Sequence, residues 1–330
     1  MEVKRIFYLD LIRVIALFCI IWCHTNVVEY DFYFLEKMKW FLGKCGVPLF
    51  FMVSGCLAFP MNKPLDQFAK GKIKRVLLPF IAWVVIYTIA ELIHGKSICM
   101  NGDILNEGSA HLWFIYVIMG LYLMVPIIDP FLRTKGKKVI RFYLALWACT
   151  GAFPLLLYII DIPFNEHNWM YTFYHFYGYI GYFVLGYYFK SFGDETRLLK
   201  LRNTFIFIVL SISLMGIYFF VFDCPTVLVS DYKGLPIILY SVAIFCILKK
   251  LSIYIRNNRV KKFITSLSVY SFGIYLIHML IVMFIYPVIP IVDGIPDLVT
   301  TAMFVIINIA VSYIIVYFLS KFRYLHYIFG

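Results

Sequence analysis

The sequence predicts an all-α polytopic membrane helix bundle, with about ten transmembrane helices and both ends in the cytoplasm. Composition, the lengths of the apolar runs and the placement of Lys and Arg each point this way. Of the 330 residues, 63% are hydrophobic, 20% aromatic and 15% charged, against roughly half apolar and a quarter charged in soluble domains. A soluble core of this length has no room for so much apolar surface. Lipid admits only helices or closed barrels, because every backbone polar group must be satisfied within the protein. These runs are too long for barrel strands.

The apolar runs fall near 6–28, 44–60, 76–94, 112–132, 140–160, 172–189, 204–222, 235–248, 263–286 and 298–320. Most approach the roughly twenty residues that carry a helix across about 30 Å of hydrocarbon. The second and eighth are the shortest. Lys4 and Arg5 precede the first run as they would in a signal peptide, but Arg13 interrupts it and no small-residue cleavage site follows. The first span is therefore expected to be retained. The loops are too short to hold a soluble domain, so residues 1–330 are read as one integral-membrane domain.

Orientation follows from the loops taken in alternation. One set, with part of the flanking segments, holds 24 of the 30 Lys and Arg and the other holds 5, with Arg13 inside the first span. By the positive-inside rule the first set is cytoplasmic. The formal net charge of +12 thus reflects topology and contact with membrane lipids rather than a nucleic-acid-binding face. Cys19, Cys23, Cys56, Cys149 and Cys246 sit in apolar runs as small hydrophobes, and the eight cysteines show no metal spacing. Cys99 and Cys224 fall in expected outer loops and are candidates for pairing in an oxidising space.

Ionisable groups inside a span are costly unless they face the protein interior, so each is a candidate functional residue. The first span holds three, Asp10, Arg13 and His24. The step of eleven from Arg13 to His24 turns a helix roughly 1100°, about 20° from three full turns, so both project from one face. The rise places His24 roughly 16 Å further outward. Asp10, three residues before Arg13, is placed to balance its charge. The competing reading is a snorkelling Arg13 with an interfacial His24. Against it, His94, His111, His167, His175 and His278 also fall toward the outer side. Several imidazoles would then surround one outer vestibule, where a positioned imidazole acts as general base.

Five blocks in order resemble the integral-membrane acyltransferase family 3. They are RIFYLDLIRVIALFCIIWCH with its R-x10-H spacing, GVPLFFMVSGCL at 46–57, KIKRVLLPF at 72–80, HLWFIYVIMGLYLMVPII at 111–128 and YSFGIYLIHMLI at 270–281. The resemblance covers nearly the whole chain. It implies an acyltransferase transferring groups other than aminoacyl groups. An acyl group, most often acetyl, would pass from cytoplasmic acetyl-CoA or another acyl-CoA to a hydroxyl of an extracytoplasmic glycan or lipid-linked sugar. No metal is implied, and the setting is the cytoplasmic (inner) membrane of a bacterial cell.

The resemblance carries the catalytic role to His24 and donor handling to Arg13, and makes Lys72 and Arg75 contacts for the donor's phosphates. Lys72 stands where many relatives have Arg, which loses a bidentate fork. Coenzyme A is too polar to cross, so its phosphates would stay at the basic side while the thin pantetheine arm reaches between helices. His24 would deprotonate the acceptor hydroxyl or first accept the acyl group itself, and both routes stay open here. Asp10, Trp113, Tyr275 and His278 are further candidates for contact with substrate, Tyr275 and His278 being one helical turn apart. Trp169, Tyr171, Tyr174 and Tyr177 suit either sugar stacking or an interfacial belt. Pro48, Ser54 and Gly55 are read as architecture that permits close helix approach. The alternative function is a transporter or flippase for a glycan or lipid-linked sugar; a noncatalytic partner in glycan assembly is a third.

Overall fold

The first span folds as expected, as an 18-residue helix α1 (Phe7–His24), and it lies at the centre of the molecule. The computed structural model describes residues 5–26, 33–95, 110–160, 178–193, 201–220, 232–291, 296–322 and 325–329. His167, His175, Cys99, Cys224, Trp169, Tyr171, Tyr174 and Tyr177 lie outside the described residues. After α1 come α2 (Tyr33–Lys44), α3 (Gly46–Ala58), α4 (Leu65–Ile93), α5 (Trp113–Thr134), α6 (Lys137–Thr150) and α7 (Phe153–Ile159). Then follow α8 (Ile180–Phe192), α9 (Leu201–Phe220), α10 (Leu235–Tyr254), α11 (Asn258–Phe284), α12 (Asp297–Leu319) and the short α13 (His326–Phe329). The chain is an all-α membrane bundle, with no strand among the described residues.

Among the described residues, seven segments are long and apolar enough to cross a membrane: Phe7–His24, Lys39–Ala58, Leu65–Ile93, Trp113–Thr134, Leu235–Tyr254, Asn258–Val288 and Asp297–Leu319. The second joins the end of α2 to α3 and so is longer than the sequence suggested. The 140–160 run divides between α6 and α7 at Gly151, where an added Cβ would lie 2.8 Å from the Lys233 carbonyl oxygen and from Ile238. On α4, Ile81, Val85, Ile89 and Leu92 are each more than half exposed. Their spacing of four, four and three puts them on one stripe, an apolar face that lipid, not water, suits.

Several basic residues expected in loops are on helices instead. Lys72 and Arg75 lie within α4, which starts at Leu65 rather than near 76. Likewise α11 starts at Asn258, because the Asn257 side chain accepts from the backbone N–H groups of Arg259 (2.8 Å) and Val260 (3.4 Å), a cap worth about 1 kcal/mol. Long cationic side chains let a helix run past its apolar stretch, since their stems lie along it and their charges reach water or headgroups.

Helix α1 packs against α2, α3, α10, α11 and α12. The closest crossing is between α3 and α8, where two glycines face each other's backbone. A Cβ on Gly55 would lie 1.8 Å from the Phe183 carbonyl oxygen, and one on Gly186 would lie 1.9 Å from that of Met52. The close approach read from Gly55 is thus present, with Gly186 as its unread counterpart. At the chain's end, Trp83 Nε1 donates to the Ile328 carbonyl at 3.1 Å, which docks α13 onto α4.

Asp10 is expected to balance Arg13, and it does act on that charge through space, but its hydrogen bonds go elsewhere. Its carboxylate is bonded by Arg5 Nε (2.8 Å) and Nη2 (2.9 Å) and by Ser268 Oγ (2.7 Å). Arg5 precedes α1 and folds back over its first turn as a fork, whereas Arg13 projects away into a cavity. The bond to Asp10 raises the Arg5 pKa above its ordinary value. Asp10 therefore ties α1 to α11. Asp10→Ala is expected to cost about 1–3 kcal/mol, seen as a lowered thermal midpoint, with the donor KM unchanged.

Candidate functional site

A cavity of about 200 Å³ opens between α1, α3, α4, α5 and α11. Its lining includes Arg13, Lys72 and Arg75 and, among the described residues, no acidic side chain. Lys72 Nζ sits 5.0 Å from the centre of the Tyr122 ring, and Tyr122 is itself a lining residue. Asp10 is hydrogen-bonded to Arg5 and Ser268 and does not line this wall.

Phe114 and Tyr275 also line the cavity. Tyr275 is the junction to a second group of residues. Its hydroxyl donates to the His111 carbonyl, and its ring centre lies 6.0 Å from that of His111 and 5.6 Å from that of His278. Behind it three imidazoles converge: His24 and His278 at 5.2 Å between ring centres, His111 and His278 at 5.3 Å, and His24 and His111 at 6.5 Å. His24 ends α1, His111 sits on the single turn Ala110–Leu112 before α5, and His278 lies inside α11. Three separate stretches of chain thus deliver one cluster. Among the described residues no set of three His, Cys, Asp or Glu is placed to hold a metal ion.

The cluster contains buried polar atoms that bond to nothing in the protein: His24 Nδ1, His111 Nε2 and His278 Nε2. Such atoms are rare in folded interiors and call for an explanation. Around them the packing is tightly specified. Asn308 Nδ2 donates to the His278 carbonyl (3.0 Å) and to the Tyr286 hydroxyl (3.2 Å), and that hydroxyl lies 3.1 Å from Thr25 Oγ1. Tyr87 donates to the Leu276 carbonyl at 2.7 Å and sets its ring 4.6 Å from that of His111.

The family model described as an acyltransferase domain matches residues 6–317. The chain belongs to acyltransferase family 3. Neither the comparison with curated proteins nor that with solved structures returns a match. In this family 3 chain the cavity brings Arg13, Lys72, Arg75 and Tyr275 together, and the imidazole cluster brings in His24 and His278. His24 does not line the cavity itself; Tyr275 bridges the two. Trp113 is in neither group, and packs on Tyr179 at 5.6 Å and Tyr232 at 5.4 Å, with Lys44 Nζ 4.3 Å over the Tyr232 ring. Asp10 lies outside the cavity lining, and His94 is exposed against Phe284 at 4.7 Å.

Tyr87, Tyr122, Ser271 and Asn308 were not read from the sequence. Ser271 lines the cavity and Asn308 is fully buried in α12. A search for neutral polar residues within apolar runs, rather than ionisable ones alone, would have found Asn308.

Proposed function

We propose that this acyltransferase moves an acyl group, chiefly acetyl, from a cytoplasmic acyl-CoA to a hydroxyl of an extracytoplasmic glycan or lipid-linked sugar. The observation that carries the reading is a cavity lined by Arg13, Lys72 and Arg75 and by no acid among the described residues, with a junction at Tyr275 to the cluster containing His24. The donor's phosphates would lie against the three cations. The acyl-pantetheine arm would run along Phe114 and Ile118 toward Tyr275, and the acceptor would approach His24 from the opposite side of the bundle. His24 takes the hydroxyl proton as the oxygen attacks the thioester carbonyl carbon. The tetrahedral intermediate collapses with C–S cleavage, and coenzyme A leaves as the thiolate, which takes the proton from the His24 imidazolium and returns His24 to its neutral form.

Purified protein in bilayers, given labelled acetyl-CoA and a panel of surface glycans, should transfer label to glycan. Arg13→Ala should lose at least about tenfold in kcat/KM for the donor, the scale of one charge-assisted hydrogen bond. Failure of any acyl-CoA to label any acceptor would reject the reading. The double variant Lys72→Ala/Arg75→Ala is expected to raise the donor KM about tenfold with kcat nearly unchanged, since these side chains hold a part of the donor that does not react. A falling kcat at constant KM would remove them from the phosphate site.

A further inference from the structure

We infer that His278 is a positioning residue for His24, holding it in the tautomer that a general base requires; the inference rests on the function proposed above. His278 Nδ1 lies 2.5 Å from the Tyr275 carbonyl oxygen. A carbonyl only accepts, so Nδ1 carries the proton, and in the neutral ring Nε2 is a bare lone pair. That Nε2 is buried and bonds to nothing in the protein, and the same holds for His24 Nδ1.

The two rings are 5.2 Å apart between centres. The two nitrogens are not bonded in this orientation of the rings; the separation between centres matches a hydrogen bond of about 3 Å plus the two distances from ring centre to nitrogen once the rings turn to face each other. His111, at 6.5 Å from His24, is too far for the same bond. A His24 Nδ1–H donated to His278 Nε2 would satisfy both orphaned atoms at once. His24 Nε2 is then the lone pair presented to the acceptor hydroxyl, and the positive charge His24 gains on taking its proton is shared with His278. The order is Tyr275 carbonyl, His278, His24, acceptor, with an imidazole where many hydrolases use a carboxylate. Tyr275 also lines the donor cavity, so the residue that fixes the His278 tautomer belongs to the wall along which the thioester would arrive. The Asn308 bond to the His278 carbonyl holds this turn of α11 in place without using the ring.

Two substitutions separate this role from packing. His278→Gln places an acceptor oxygen where Nε2 stands. His278→Asn keeps a donor toward the Tyr275 carbonyl but does not reach His24. The Asn variant is expected to lose about 10²-fold or more in kcat with the donor KM unchanged, and the Gln variant to stay within about tenfold of wild type. Should the Asn variant not fold, His278→Met fills the space without an acceptor at that position and takes its place. Equal activity of Gln and Asn, or of Gln and Met, at whatever level, overturns the inference. If His24→Ala abolishes transfer while those variants remain equal, only the His24–His278 pair is rejected. If wild type transfers no acyl group, the function proposed above falls first.

Discussion

His24→Ala is expected to lower acyl transfer by about 10²–10⁴-fold, the contribution of a positioned general base, while the protein stays folded and still binds its donor. The variant should fold because His24 stands at the last residue of α1, where neighbouring contacts do not depend on its ring. The Thr25 hydroxyl donates to the Ile21 carbonyl at 2.9 Å, and Lys39 donates to the Thr25 carbonyl and, at 2.8 Å, to Asn26 Oδ1. Donor binding should survive because Arg13, Lys72 and Arg75 line the cavity and His24 does not. The check is label transfer beside equilibrium binding of acyl-CoA. Full transfer by the variant would take His24 out of the site, whereas loss of transfer with loss of binding would point to a distorted bundle.

The second large effect concerns stability. Gly55→Ala and Gly186→Ala should each sharply reduce the yield of folded protein, at a cost of about 3 kcal/mol or more, the upper range for overpacking. Both new methyl groups would fall within 2 Å of a carbonyl oxygen on the facing helix, and backbone cannot rotate aside as a side chain can. Helices α3 and α8 would have to part, loosening Phe51, Met52, Phe183 and Phe189, all of them buried. Gly120→Ala is the control: nothing lies within 4 Å of its added Cβ, and alanine favours a helix by roughly 0.5–1 kcal/mol. Monodisperse yield and thermal midpoint in mild detergent report on all three. The cavity would suffer too, since Phe50 and Ser54 of α3 line it.

Particular residues show how far local reading reached. The shared face of Arg13 and His24 followed from helical period alone, and the structure sets Arg13 in the cavity and His24 just beyond its Tyr275 end. The partner of Asp10 did not follow, because spacing along a helix ranks only neighbours on that helix. Arg5 in the preceding segment and Ser268, 258 positions away on another helix, take the hydrogen bonds of Asp10 and leave Arg13 only the attraction through space. Lys72 and Arg75 were read as a basic segment, but their place on α4 depends on where that helix starts. His111 and His278 were assigned to one side of the bundle, yet their meeting with His24 required three elements to converge.

The sequence by itself determined the solvent and the helical class, because hydrophobic run length and helical period are properties of consecutive residues, and five motif blocks carried the family. Tertiary structure alone decided which charges pair, which cations line the cavity and which nitrogens of three clustered imidazoles are left without a hydrogen bond. Those outcomes depend on distances of about 3 Å between residues far apart in the chain, and packing of whole helices sets such distances.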